Sequence, residues 1–147
     1  MIIRRAVEDD LSEILALYKE LTGIYSDVNS EDPEAAKSRW QAVCADDRQH
    51  VLAAEVDGKI VGTLNLTIVP NLGHGGQPWA AIDNVVVSAS QRGQGIGETL
   101  IAEAGKIAKA RNCYKIILSS NLARTRAHDF YRRLGWKESH IGFSMEL

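Results

Sequence analysis

The chain has 147 residues, 45% of them hydrophobic and 24% charged, and its formal net charge at pH 7 is −2. This length suffices for one domain with a buried core, so we expect a single domain over residues 1–147. The charge gives no support to nucleic-acid binding, and no apolar run reaches the ~20 residues of a membrane span. Because no signal-peptide core is found and Cys44 and Cys113 match no metal or redox spacing, we expect a cytoplasmic protein without a metal.

Charge is distributed unevenly along the chain. Residues 1–90 hold 7 Lys and Arg against 14 Asp and Glu, whereas residues 91–147 hold 10 against 5. Chance and solvated helix faces can explain this. Alternatively, the basic part meets an anionic ligand and the acidic part a cationic one.

The chain begins with the pattern of a strand followed by a helix. Residues 2–6 are predicted to form a short strand. Asp10, with Glu13 three residues later, predicts a capping box at the start of the first helix. Gly23 is expected to end that helix, and residues 24–31 are expected to form a polar loop.

A second helix and an antiparallel hairpin are predicted next. Asp32 is the expected cap of the second helix, with Pro33 at its first position. Residues 50–56 predict a strand, residues 57–58 (Asp-Gly) a hairpin turn, and residues 59–69 the returning strand.

Glycines mark two further features of this region. Gly62, inside the returning strand, predicts a bulge or a close approach of another element. Residues 70–78, P-N-L-G-H-G-G-Q-P, are too long for a tight turn, so this loop is a candidate cover for a site. His74 within it is interpreted as a solvated side chain.

A strand, a glycine turn and a helix in succession predict an anion site in the centre of the chain. Residues 80–87 are rich in β-branched residues that suit a buried strand. Gly93, Gly95 and Gly97 follow, and they allow positive φ and a close approach of the backbone to a ligand. The helical pattern that begins at residue 98 then offers unpaired N–H groups and a positive dipole end, which favour a phosphate.

The remaining chain alternates strand and helix patterns. Residues 114–119 predict a short buried strand, residues 124–134 a helix that Gly135 ends, and residues 136–147 one or two final strands. Together these elements predict an α/β sheet with helices on both faces.

Two motifs resemble those of the GNAT superfamily of N-acetyltransferases. R-G-Q-G-I-G at residues 92–97 matches its R-x-x-G-x-G/A signature. A-H-D-F-Y-R-R-L-G-W at residues 127–136 is similar to its A-x-x-F-Y-x-x-x-G-F segment. The resemblance implies the GNAT fold, with a mixed six- or seven-stranded sheet that splays between the fourth and fifth strands.

The resemblance implies that the co-substrate is acetyl-CoA. In this family the strand before the glycine turn pairs with the pantetheine arm, and the turn holds the pyrophosphate. The implied cofactor-binding residues are Val85, Val86, Val87, Arg92, Gly93, Gln94, Gly95, Ile96 and Gly97. A backbone N–H near Val85 is the expected group that polarises the thioester carbonyl.

The resemblance also implies which residues carry the chemistry. Tyr131 occupies the position of the family's tyrosine that protonates the leaving thiolate. Asp83 lies where several members place a glutamate base, and it is one methylene shorter. Many members carry Asn where this chain has Arg124, so either Arg124 or the nearby Asn121 is the candidate contact to pantetheine.

The function that follows is the transfer of the acetyl group of acetyl-CoA to a primary amine, by direct attack in a ternary complex. Aminosugars, polyamines and peptides remain open as acceptors, and so does a homodimer. The alternative is a non-catalytic acyl-CoA-binding module on the same fold. A nucleotide-binding domain is excluded because the sequence lacks the Walker lysine and a ribose-binding acidic residue.

Overall fold

Strands separated by glycine-containing turns form the sheet around which the first part of the chain folds. The computed structural model describes residues 1–21, 32–145 and 147, in two units, Met1–Ile117 and Leu118–Leu147. Across the sheet in this order lie β1 (Ile2–Arg5), β2 (Gln49–Val56), β3 (Lys59–Val69), β4 (Trp79–Val87) and β5 (Ile116–Leu118). The helices are α1 (Leu11–Lys19), α2 (Pro33–Ala45), α3 (Ile96–Ala110) and α4 (Thr125–Arg133).

The first four strands are antiparallel neighbours, and the hairpin between β2 and β3 forms as predicted. Asp57 and Gly58 both have positive φ, +49° and +75°, which is the conformation of a type I′ turn. β4 and β5 are linked near their starts by bonds from the Ala80 N–H to Lys115 O and from the Tyr114 N–H to Pro78 O. The parallel unit of β4, α3 and β5 therefore forms at the predicted place.

Helices cover both faces of the sheet, as predicted. On one face α1 and α2 bury a shared cluster against the strands, formed by Ala6, Ile14, Leu17, Leu21, Trp40, Val51, Ala53, Ile60 and Val86. On the other face α3 buries Leu100 and Ala104 completely. A Cβ at Gly62 would lie 3.2 Å from Leu100 Cδ1, which is the predicted close approach.

The start of α1 differs from the prediction. Asp10 has helical dihedral angles and its side chain does not cap α1, so the expected capping box is wrong. Its carboxylate instead accepts two bonds from Arg4, at 2.6 and 2.8 Å, and one from the Val7 N–H at 2.8 Å. Glu13 accepts from the Ile60 N–H at 3.4 Å and so joins α1 to β3. The ion pair with Arg4, six residues earlier, has replaced the predicted cap.

The start of α2 agrees with the prediction. Asp32 accepts a bond from the Glu34 N–H at 3.2 Å, and Pro33 occupies the first helical position. The predicted helix end at Gly23 and the loop at residues 24–31 lie outside the described residues.

The described residues hold five strands rather than six or seven, because residues 136–145 contain none. Ile141, Phe143 and Met145 keep the alternation of a strand, yet they are 83%, 93% and 82% exposed. Alternation alone does not make a strand, since the backbone groups also need a neighbouring strand to pair with.

Candidate active site

The glycine turn and the start of α3 form a concave backbone surface that suits an anion. Gly93 and Gly95 adopt φ of +80° and +78° and are exposed, and a Cβ at either position would meet no atom within 4 Å. The Thr99 N–H bonds to Gly95 O at 3.0 Å, and no described side chain caps α3. The N–H groups of residues 96–98 precede that first bond and lie at the positive end of a 15-residue helix. These features fit a pyrophosphate.

The Arg92 side chain, the predicted pyrophosphate contact, is held by other protein groups. Its Nε donates to Val87 O at 2.9 Å, and its Nη2 lies 3.2 Å from Glu20 Oε2. Glu20 directly follows α1, so the first helix is connected to the glycine turn. This connection had no signal in the sequence.

β4 contains a bulge where the pantetheine arm was expected to pair. Thr63 pairs with Val86 and Asn65 pairs with Asp83, so one residue of β3 faces two residues of β4. The extra residue is accommodated by Asn84, which has φ of +55°. A bulge disrupts the ladder locally and frees backbone groups beside it. Asn tolerates the left-handed conformation, and its place within a run of β-branched residues was the signal for this feature.

Asp83, the candidate base, lies on the face of the sheet that α1 and α2 cover. It pairs in register with Asn65, and directly opposed residues share a face. Asn65 Nδ2 and Thr67 Oγ1 both donate to Gln49 Oε1, at 3.0 and 2.9 Å. Asn65 Oδ1 is buried and has no hydrogen-bond partner among the described residues. A row of polar groups thus lies beside an exposed carboxylate.

A cavity of about 210 Å³ lies between α1, α2 and the sheet. Most of its wall is apolar, and its polar contributors are Tyr18, Arg39, Asn65 and Asn84. The remaining lining residues are Leu11, Ile14, Leu15, Ala36, Trp40, Val43 and Val51. A largely apolar cavity with a few polar groups in its wall is the usual form of a small-molecule site.

Tyr131, the candidate acid, belongs to the second unit and is 9% exposed. Its ring makes an edge contact with Phe130 at 5.2 Å between centroids, and Trp136 lies at 6.0 Å. Burial raises the pKa of Tyr131, and the positive charge of Arg124 opposes part of that rise. The phenol is therefore protonated at neutral pH and can donate a proton.

The two candidate pantetheine contacts differ in their local bonds. Asn121 Oδ1 accepts from the Ala123 N–H at 2.9 Å, and Asn121 O accepts from the Arg124 N–H at the same distance. The Asn121 amide oxygen is thus used within its own turn. Arg124 precedes α4 directly and forms no side-chain cap there.

The loop at residues 70–78 contains a short 3₁₀ turn at His74–Gly76. His74 is exposed, as interpreted, but it also stacks on Tyr114 with 4.0 Å between ring centroids. That contact links the loop to the segment that leads into β5.

The first unit brings together Asp83, the Val85–Val87 strand segment, the glycine turn and the cavity. Tyr131, Asn121 and Arg124 belong to the second unit. Sequence reasoning missed Glu20, Arg39, Asn65 and the bulge at Asn84. The sequence around a single charged residue on or beside a helix does not indicate which residue it will contact. The asparagine within the β-branched run of β4, in contrast, was a local indication of the bulge.

Comparison with known proteins agrees with the fold. The profile described as the acetyltransferase (GNAT) family matches residues 14–136. A glucosamine 6-phosphate N-acetyltransferase of Trypanosoma brucei brucei is 33% identical, over 99% of this chain and 95% of that protein. An aminoalkylphosphonate N-acetyltransferase of Salmonella typhimurium is also 33% identical, over 99% of this chain and 90% of that protein.

A solved structure of a Trypanosoma brucei acetyltransferase superposes with a TM-score of 0.82 at 28% identity, and the match covers 99% of both chains. The chain belongs to the acetyltransferase (GNAT) family. It is an N-acetyltransferase, for which the family's acyl donor is acetyl-CoA. None of the described helices is long and apolar enough to cross a membrane.

Proposed function

We propose that this enzyme acetylates the primary amine of a small molecule that also carries a phosphoryl or phosphonyl group. The observation that carries the proposal is the cavity between α1, α2 and the sheet, where Arg39 stands in a largely apolar wall. A guanidinium matches the geometry of phosphoryl oxygens. Support comes from the two relatives described above, whose names specify a phosphorylated aminosugar and an aminoalkylphosphonate.

Acetyl-CoA binds along β4 and at the glycine turn in this proposal. Backbone groups of residues 85–87, freed in part by the adjacent bulge, pair with the pantetheine arm. The N–H groups at the start of α3, together with the backbone of the glycine turn that precedes them, hold the pyrophosphate. Arg124 is the preferred pantetheine contact, because the Asn121 amide oxygen already accepts a bond in its own turn. The acyl donor supplies an activated thioester, and the Val85 N–H polarises its carbonyl.

Asp83 and Tyr131 carry out proton transfers to and from the reactants in this proposal. Asp83 receives the proton of the acceptor ammonium, through a water because its side chain is short. Asn65 lies opposite Asp83, and its unpaired Oδ1 is a further hydrogen-bond acceptor for that ammonium. Tyr131 gives its proton to the leaving thiolate, and the raised pKa of its phenol favours the protonated form that this role requires. The attacking nitrogen releases its second proton to solvent as the amide forms, and the tyrosinate recovers a proton from solvent. Attack is direct, within a ternary complex.

The test of the acceptor class compares glucosamine 6-phosphate and an aminoalkylphosphonate with their counterparts lacking the anion. Arg39→Ala should raise KM for the anionic amines about tenfold or more, as expected for the loss of a charged hydrogen bond, and change KM for the neutral counterparts less than threefold. Lys37→Ala is the matched control, because Lys37 is a cation on the same helix that does not line this cavity. Equal effects on both amine classes, or a polyamine or peptide as best substrate, would contradict the acceptor class.

A homodimer and a cytoplasmic location complete the proposal. Support for the dimer is the exposed row of Ile141, Phe143 and Met145, since apolar surface of this kind favours association. Sedimentation of the wild type and of Phe143→Ser tests it. A wild type that remains monomeric at high concentration would contradict the dimer.

A further inference from the structure

One carboxylate holds the segment that leads into the glycine turn. Glu20 Oε2 accepts from the Ala89 N–H at 2.8 Å and from Arg92 Nη2 at 3.2 Å. These donors stand at the two ends of the short 3₁₀ turn Ala89–Gln91. Arg92 Nε donates to Val87 O at 2.9 Å, so the guanidinium also ties the turn to the end of β4. Glu20 and Arg92 together fix both sides of this connection.

We propose that Glu20 is a positioning residue for acetyl-CoA and that Arg92 supports the glycine turn rather than binding the pyrophosphate. Two nitrogens of Arg92 are already used by Glu20 and Val87. The backbone N–H groups that follow Arg92 then supply the anion site, and their placement depends on the turn that Glu20 holds. The inference rests on the proposed cofactor site at residues 92–97.

The two possible roles of Arg92 predict opposite effects for Glu20. If Arg92 bound the pyrophosphate, Glu20 would compete for the guanidinium, and removing Glu20 would strengthen acetyl-CoA binding. If Arg92 supports the turn, removing either residue loosens the same connection. Both single variants then weaken binding, and the double variant is little worse than either single variant.

The experiment is a double-mutant cycle with Glu20→Ala, Arg92→Ala and the double variant. Calorimetry measures Kd for acetyl-CoA and thermal unfolding checks the fold. Each single variant should raise Kd about three- to tenfold, because the pair is partly exposed and one backbone bond is lost with Glu20. The turnover number at saturating acetyl-CoA should stay within about twofold, because a positioning residue acts on binding.

Two further variants keep the test interpretable. Glu20→Gln can still accept from the Ala89 N–H, so its Kd should lie between those of the wild type and Glu20→Ala, even if Glu20→Ala unfolds. Glu103→Ala is the matched control, since Glu103 also forms an ion pair, with Lys106 at 2.8 Å, and its side chain is 35% exposed against 34% for Glu20. Its Kd should equal that of the wild type.

Unchanged or tighter binding by Glu20→Ala, or additive effects in the double variant, would overturn the inference. If residues 92–97 do not bind acetyl-CoA at all, the result is different. Gly95→Val, which alters the turn without touching Glu20, then binds acetyl-CoA with the same Kd as the wild type.

Discussion

Asp83 on β4 and Asn65 on β3 oppose each other directly, one residue before the bulge at Asn84. The carboxylate therefore stands on the sheet face that α1 and α2 cover, next to a residue that lines the cavity. Val86, three residues later, lies opposite Thr63. In a regular strand Asp83 and Val86 would point to opposite faces, so the bulge is what allows both to share one face.

Replacing Asn84 tests the importance of that bulge. Asn84→Val places a β-branched residue at φ of +55° and should destabilise the protein and lower turnover more than Asn84→Gly, which tolerates this backbone. Thermal unfolding and kcat for both variants measure the difference. If the two variants behave alike, the left-handed conformation at residue 84 has no role in the site.

Gly95→Val should weaken acetyl-CoA binding more than tenfold, equivalent to over ~1.4 kcal/mol. The valine requires an unfavourable φ of +78° and puts a side chain into the proposed pyrophosphate path. Gly105→Ala in α3 is the matched control, because its Cβ meets nothing within 4 Å and alanine favours a helix. A folded Gly95→Val protein with wild-type calorimetric affinity would rule out the site at residues 92–97.

Tyr131→Phe keeps the buried ring and removes the proton donor. We expect kcat to fall ~100- to 10,000-fold while the acetyl-CoA Kd stays within about threefold. Because burial raises the pKa of Tyr131, the alkaline limb of the wild-type kcat profile should lie above pH ~10 and be absent in the variant. Tyr114→Phe is the control. Near-full kcat in Tyr131→Phe, with chemistry limiting the rate, would make this tyrosine structural.

The ion pair of Arg4 and Asp10 should make stability depend on acid pH. Hydrogen bonds from Arg4 lower the pKa of Asp10, so this contribution is complete above the unfolded value of ~4 and is lost as pH falls through the folded pKa. The Asp10 side chain is 8% exposed and that of Arg4 is 32%, so Asp10→Ala should cost about 2 kcal/mol.

Urea unfolding at pH 7 and pH 3 measures the Asp10 effect. Asp47→Ala, which removes a pair in which the carboxylate is 83% exposed, should leave stability unchanged. An Asp10→Ala penalty that is the same at both pH values would contradict the assignment.

Local patterns predicted much of the fold, because the relevant signals act between near neighbours. Asp57 and Gly58 fix the hairpin through their own backbone angles, and Asp32 with Pro33 fixes the start of α2. The prediction for Asp10 was wrong although its partners are near in sequence. Its carboxylate accepts from Arg4, six residues earlier, and from the Val7 N–H instead of capping α1, and the sequence pattern does not show which of these competing bonds forms.

The candidate site was predicted less completely than the fold. Its cofactor segment could be named from motifs, but the roles of those residues stay predictions. The contact of Glu20 with Arg92 joins residues 72 positions apart, and the register of β3 with β4 is a property of two strands together. Neither the contact nor the register produces a recognisable pattern in the sequence.

The most direct test of the account is acetyl-CoA turnover with purified protein and a panel of primary amines, with and without a phosphoryl group. Free thiol and the N-acetylated product are both measured, the latter by mass. We predict one thiol released for each amine acetylated, with the phosphorylated or phosphonylated amines turned over best. Acetyl-CoA binding by calorimetry without thiol release above background for any amine would contradict catalysis and favour a non-catalytic acyl-CoA-binding module.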